Sequence, residues 1–322
     1  MLRLNSLAAV PADLGPTVVT LGNFDGMHLG HQHLIREVVS RARARQAKAA
    51  VVTFYPHPLS VHRPGEGIVQ LQSLQDRLDA LEALGVDATL VVAYTLDFAG
   101  LNPPQFAQRY LVDGLHAVEV VVGQDIRFGQ GNSGDLGTMR ALGEELGFTV
   151  TALDDQGDPE DQALARWSSS GVRSALADGD VGQAARILGR PHTVNGQVVS
   201  GDKRGRKMGF PTANLGGRVT GLIPADGVYA GYLVRLDLPD GAPDRRLPAA
   251  ISVGTNPTFD GAERRVEAHA IGRSDLDLYG ENVTVQFVER LRHTLAFTTT
   301  EALVTQMRDD VQAAARVLRS RG

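Results

Sequence analysis

The sequence predicts an α/β protein in two domains: an N-terminal parallel sheet covered by helices, then a small antiparallel β-barrel with a terminal helix. Three observations carry this. Short apolar runs alternate with amphipathic stretches from Val18 to about residue 186, the pattern of strands buried on both faces and joined by crossover helices. Beyond Gly189-Arg190-Pro191 the period drops to two, with glycine and proline turns between short segments, as in a small barrel. The chain has 322 residues, more than one domain usually holds. The domains are placed at 1–186 and 187–322.

Taken in order, Val18 to Leu21 is a short buried strand running into a glycine turn and a helix start (VVTLGNFDGMHLGHQH, Val18 to His33). Leu34 to Gln46 continues that helix, with Leu34, Ile35, Val38 and Val39 on one face. Ala49 to Tyr55 is the next strand, stopped by Pro56-His57-Pro58. Ser73 caps a helix through Leu84, striped by Leu74, Leu78, Leu81 and Leu84. Ala88 to Ala93, Val118 to Val122 and Phe148 to Leu153 are further strands; Asn102-Pro103-Pro104 starts a helix and Leu136 to Leu146 is another. Such sheets bind ligands at the carboxyl ends of their strands. Gly22, His57 and the segment Gly123 to Gly134 (GQDIRFGQGNSG) all fall there.

Asp178-Gly179-Asp180 ends one helix, and Val181 to Leu188 forms the next. Strands follow near His192 to Val199, Gly227 to Leu236, Leu247 to Val253, Val266 to Ile271 and Val283 to Leu291. The last helix runs from about Thr299 to Arg319, with Leu303, Met307, Val311 and Leu318 as its stripe.

Composition narrows the class. A net charge of −5 gives no reason to expect nucleic acid or an anionic membrane as partner. Zero cysteines exclude disulfides and thiolate metal sites and fit a reducing compartment. No apolar run is long enough to span a bilayer, and MLRLNSLAAV lacks a secretion pattern. The expectation is a cytoplasmic protein, monomeric or weakly self-associating.

The turn after the first strand carries chemistry. His28 and His31 lie three apart, one face of a helix's first turn, where free N–H groups and the dipole favour an anion. Two imidazoles there add donors for charge developing on a reacting phosphate. The turn contains neither GxxxxGK[ST] nor GxGxxG. Zinc is set aside, since no cysteine exists and no third ligand stands near.

The stretch Gly22 to His31 (GNFDGMHLGH) resembles the GxFDGxHxGH signature of the nucleotidylyltransferase superfamily, in the form found in bacterial bifunctional riboflavin kinase/FMN adenylyltransferases. Arg166 to Arg173 (RWSSSGVR) is similar to that superfamily's ISSTxIR motif, with Trp167, Ser170 and Gly171 departing from it. The resemblance implies a Rossmann-like nucleotidylyltransferase domain that joins FMN and ATP into FAD and pyrophosphate. In it Gly22, Asn23, Phe24, Asp25, Gly26 and Gly30 form the phosphate turn, and His28 and His31 stabilise the α-phosphate. Ser168, Ser169 and Arg173 hold the leaving pyrophosphate. His57, with Asp125, Arg127 and Phe128 of the glycine-rich loop, would lie against flavin and nucleotide; Ile126 replaces the usual aromatic there.

Three stretches of the second half resemble the riboflavin kinase module. Gly201 to Leu215 (GDKRGRKMGFPTANL) carries glycines and basic residues for ATP, implying Gly201, Arg206, Lys207, Gly209, Phe210 and Pro211 as ATP contacts. Thr212 and Asn214 would offer neutral oxygens to Mg²⁺. Ile251 to His269 (ISVGTNPTFDGAERRVEAH) is similar to SVGxNPTF followed by VExH, implying Glu267 as the base for riboflavin's terminal hydroxyl and Asn256 as a flavin contact. Asp277 to Phe297 retains Arg292 and Phe297, with Thr294 and Ala296 where glutamate and lysine are common; Arg292 is expected at the flavin. Substrates would be riboflavin, FMN and ATP, and products FMN and FAD. A kinase half reduced to docking FMN, or a flavin carrier without turnover, are the alternatives; retention of Glu267, Thr212 and Asn214 argues against the first, and two intact phosphate sites against the second.

Overall fold

The computed structural model describes residues 1–65, 69–158, 160–161, 166–201, 208–258 and 261–321, with backbone only at 256–258 and 261–263. The chain divides into two compact units, Met1–Ser168 and Ser169–Gly322.

The first unit is a six-stranded parallel sheet. Its elements are β1 (Leu2–Leu4), β2 (Thr17–Leu21), α1 (Leu29–Ala44), β3 (Lys48–Tyr55), α2 (Pro58–His62), α3 (Leu74–Ala83), β4 (Ala88–Ala93), α4 (Leu96–Ala99), α5 (Pro103–Phe106), β5 (Ala117–Gly123), α6 (Leu136–Leu146) and β6 (Thr149–Leu153). A π-helical turn, Ala107–Val112, follows α5. The strand order is β1-β4-β3-β2-β5-β6. From β2 the chain builds outward through β3 and β4, then crosses to β5 on the other side. β2 and β5 therefore flank the topological switch point, where open sheets of this kind bind ligands.

The strands read as continuous apolar runs because both faces are covered. Val19, Leu21, Ala50, Val52, Val120 and Val122 point to one core with Phe106, Leu111 and Met139. Their neighbours Val18, Ala49 and Val121 point the other way, onto Val38 and Ala42 of α1. Val51 packs with Phe24, Met27, Ile35 and Leu81 on that same side.

The second unit opens with α7 (Ser169–Asp178) and α8 (Val181–Leu188), then forms a closed barrel. Its strands are β7 (His192–Val199), β8 (Ala213–Thr220), β9 (Gly227–Arg235), β10 (Arg246–Thr258), β11 (Gly261–Ala270) and β12 (Asn282–Arg292), ordered β10-β11-β8-β7-β12-β9. The terminal helix α9 (Thr300–Arg319) lies on it through Ala314 and Leu318, against Ala230, Ala250 and Val288. The break between units falls earlier than the border expected at 186/187. The cause is packing: Val181, Ala184, Ile187 and Leu188 of α8 are buried, the Ala225 N–H donates to Leu176 O at 2.8 Å, and Arg290 Nη1 donates to Asp178 O at 3.0 Å.

β1 and β8 escape a pattern reading. β1 is three residues at a sheet edge with two of them exposed, and Gly216-Gly217 interrupts the alternation of β8.

Candidate active sites

In the first unit, β2 ends where the Gly22 N–H donates to Val52 O at 3.0 Å. The chain then folds back sharply: Phe24 (φ +49°), Gly26 (φ +86°) and Met27 (φ +45°) are left-handed. For Phe24 and Met27 that conformation is unfavourable by roughly 1–3 kcal/mol each, and burial of both side chains offsets the cost with packing. Asp25 is 2 % exposed and its carboxylate accepts the Leu71 N–H at 3.0 and 3.2 Å. It was expected among the phosphate contacts; a carboxylate would repel phosphate, and here it shapes the turn instead.

His28 is the N-cap of α1, not part of its first turn. Its Nδ1 accepts the His31 N–H at 3.3 Å, and the two rings stack with centroids 3.5 Å apart. Gly30 permits this: a Cβ there would lie 3.2 Å from the His28 ring. Because Nδ1 is an acceptor, the neutral His28 ring carries its proton on Nε2. Burial, then the charge of Arg166, pushes His28 down to about 4. Burial, then His28 and Arg77, holds His31 well below the ordinary imidazole value. Both rings are therefore neutral donors at pH 7, and His31 Nδ1 is buried without a hydrogen-bond partner among the described residues.

Two cavities meet at this turn. One, of about 220 Å³, is walled by His28, Gly30, His31, Asp125, Arg166 and Ser168. Arg166 ion-pairs there with Asp125 and, at 3.2 Å, with Asp155. The other, of about 290 Å³, is aromatic: Phe54, Tyr94, Phe98, Phe106 and Phe128, with Asn23, His57 and Arg127. Leu21, Gly22 and Ile126 belong to both walls. His57 caps α2, its Nδ1 accepting the Leu59 N–H at 3.3 Å. Arg127 is exposed and pairs with Asp135 at 3.8 Å.

In the second unit, Glu267 and Asn214 are register partners on β11 and β8. Thr212 Oγ1 donates to Glu267 Oε2 at 3.3 Å and accepts from Asn214 Nδ2 at 3.2 Å. A Cβ on Gly201 would lie 2.7 Å from the Asn214 side-chain amide, so the glycine leaves room for it. Two cavities meet here as well. Gly201, Pro211 and Asn214 line a small one, Glu267, Phe210 and Arg292 an apolar one of about 270 Å³, and Thr212 lines both. The apolar cavity is walled on one side by Leu303, Met307 and Val311 of α9.

A sequence model described as FAD synthetase matches residues 10–165, and one described as riboflavin kinase matches 188–318. Curated bifunctional riboflavin kinase/FMN adenylyltransferases are similar over nearly the whole length. That of Escherichia coli K12 is 34% identical over 92% of this chain and 91% of its own, and that of Pseudomonas fluorescens 36% over 94% and 92%. The chain belongs to the bifunctional riboflavin kinase/FMN adenylyltransferase family. Its FAD synthetase domain holds the histidine pair and its riboflavin kinase domain holds Thr212, Asn214 and Glu267, so it carries both activities. A solved structure described as a macrolide-efflux protein from Streptococcus pneumoniae shares the fold, with TM-score 0.85 and 29% identity over 98% of both chains.

Ser169 and Arg173 lie on α7 of the second unit. Arg206 and Lys207 lie outside the described residues, as does the Asn256 side chain; the Asn256 backbone pairs with Glu263. Gly209 is left-handed (φ +86°) and Pro211 O meets His269 Nδ1 at 2.8 Å. Arg292 reaches the apolar cavity, yet its guanidinium holds Asp310 bidentately at 2.8 and 2.7 Å. Arg264, three residues before Glu267, pairs with Asp226 at 2.8 Å. Sequence reasoning missed the aromatic wall and Arg77. The signal for Arg77 was a lone charge on a leucine stripe.

Proposed function

We propose that each unit places a flat ring in its apolar cavity and phosphates in its polar one, with transfer at the shared wall. The observation that carries this is the shared lining itself: Gly22 in the first unit and Thr212 in the second.

For adenylyl transfer, the aromatic cavity takes the isoalloxazine of FMN and the histidine cavity takes ATP. The attacking FMN phosphate is already an anion, so no side-chain base is needed. Neutral His28 and His31 donate to the α-phosphate as its charge grows, and Ser168 with the α1 N-terminus receives pyrophosphate. For the kinase, riboflavin enters the apolar cavity beside α9. Glu267 Oε2 takes the proton of its terminal hydroxyl as that oxygen attacks the γ-phosphate of ATP.

Thr212 Oγ1 and Asn214 Oδ1 fit a hard cation, because both are neutral oxygens and Gly201 leaves a cradle beside Asn214. Among the described residues no cluster of three histidine or acidic side chains could hold a metal. An ion with few protein ligands that leans on phosphates and water suits magnesium. When bound, Mg²⁺ would align and neutralise the ATP phosphates.

Incubation with riboflavin and ATP tests the reading. With Mg²⁺, FMN rises first and then gives way to FAD. With a chelator in excess, riboflavin stays unchanged. Riboflavin phosphorylation undiminished by the chelator would remove the metal role of Thr212 and Asn214.

A further inference from the structure

Arg77 stands where a hydrophobic residue would be expected. It lies on α3 three residues after Leu74 and four before Leu81, on the face turned to the sheet, and it is 0 % exposed. A guanidinium keeps its charge inside a protein, so the first unit carries a permanent cation in its interior. Nη1 donates to Thr53 Oγ1 at 3.1 Å and to Phe54 O at 3.2 Å, near the carboxyl end of β3. Nε and Nη2 have no hydrogen-bond partner among the described residues. Asp25, Tyr55 and His31 are the ionisable groups within its electrostatic reach. Replacing a poorly paired buried ion by an apolar side chain is often stabilising. Packing alone therefore does not account for this arginine.

Its contacts lead back to the phosphate turn. Thr53 Oγ1, which accepts from Arg77, donates to Asn23 O at 3.3 Å. Alongside, Gln72 Nε2 donates to Phe24 O at 3.3 Å and the Leu71 N–H to the Asp25 carboxylate at 3.0 Å. The segment 71–77 thus holds three successive turn residues, Asn23 through Thr53, and Phe24 and Asp25 directly.

We propose that Arg77 is a positioning residue for adenylyl transfer. Through Thr53 it fixes the Asn23 backbone, and its charge adds a permanent positive potential beneath the turn that meets the nucleotide phosphates. The proposal rests on His28 and His31 facing those phosphates. Charge fixed before the reaction needs no reorganisation when negative charge builds up. The same cation disfavours protonation of His31, which keeps that ring a neutral donor. Arg77 has no exposed surface with which to bind substrate itself.

The full chain with Arg77→Met, Arg77→Lys or Thr53→Val tests this. Each variant is assayed for FAD formation from FMN, for riboflavin phosphorylation, and for the His31 imidazole pKa by NMR. Arg77→Met is expected to lower kcat for FAD formation about 10- to 100-fold while shifting the KM for ATP less than about threefold. Riboflavin phosphorylation stays unchanged and the His31 pKa rises. Lysine retains the charge, so kcat returns to within about tenfold of the parent and His31 stays low. Thr53→Val retains the charge and loses the brace: kcat falls and His31 does not move.

A parental kcat in Arg77→Met overturns the proposal, as do equal losses in Met and Lys with His31 unmoved. Where Arg77→Met does not fold, Thr53→Val decides, and a parental kcat there removes the bracing role. His31→Ala separates the two levels. If it still forms FAD at the parental rate, the assignment of His31 fails whatever Arg77 does.

Discussion

The bond between Arg292 and Asp310 fastens α9 beside the apolar cavity of the kinase unit, and cutting it has a calculable effect. Arg292 Nε and Nη2 meet the two carboxylate oxygens at 2.8 and 2.7 Å, Gln306 Nε2 adds 3.0 Å, and Asp310 is 7 % exposed. Removing one partner of a fully buried pair costs about 3–5 kcal/mol. The Arg292 side chain is 20 % exposed, so water recovers part of this, and about 2–3 kcal/mol is expected for Asp310→Leu. For a unit of this size the unfolding temperature then falls by roughly 5–10 °C. Arg292→Met with Asp310→Leu leaves no stranded charge, and should recover most of the loss, a coupling of about 2 kcal/mol. Denaturant unfolding of the four chains in the cycle measures it. Because Leu303, Met307 and Val311 of α9 wall the cavity, the single variant should also raise the KM for riboflavin and leave FAD formation from FMN untouched. A loss below about 0.5 kcal/mol, or single effects that simply add, would refute the reasoning.

Two further predictions concern pH and backbone space. His28 and His192 are both pushed down to about 4, chiefly by burial, so the folded chain binds fewer protons than the unfolded one below the ordinary histidine value. Stability is therefore full above about pH 6.5 and falls as pH drops toward 4, by about 3 kcal/mol for each ring; unfolding curves at pH 7 and pH 5 that coincide would contradict this. Gly201→Ala places a methyl 2.7 Å from the Asn214 amide and should displace that side chain. Riboflavin phosphorylation is expected to fall about tenfold, equivalent to ~1.4 kcal/mol, with a higher Mg²⁺ requirement and normal FAD formation; unchanged Mg²⁺ dependence would count against the metal assignment.

Much of this was legible in the chain. The β2 run and the glycine turn could be read because every residue of β2 is buried, and α6 and α8 span the residues the sequence assigns to them. Glu267 stood out on an alternating strand, and its neighbours Val266 and Ala268 are indeed buried where it is not. What escaped depends on partners distant in sequence. Nothing in GNFDG tells that Asp25 turns inward to the Leu71 amide while Gly22 faces two cavities. The expected flavin contact Arg292 finds its carboxylate eighteen residues on, in a helix whose sequence displays only its apolar stripe. Three of that stripe's four residues, Leu303, Met307 and Val311, line a cavity. Tyr94 and Phe98 become one wall with Phe54 and Phe106 only once the sheet brings their strand ends together.

The central claim is that two separate sites act in sequence, and paired single substitutions test it most directly. With riboflavin and Mg·ATP, His31→Ala should stop at FMN. Glu267→Ala should leave riboflavin unchanged yet convert supplied FMN to FAD, and a mixture of the two chains should make FAD from riboflavin. Loss of both reactions in either folded single variant would contradict the account.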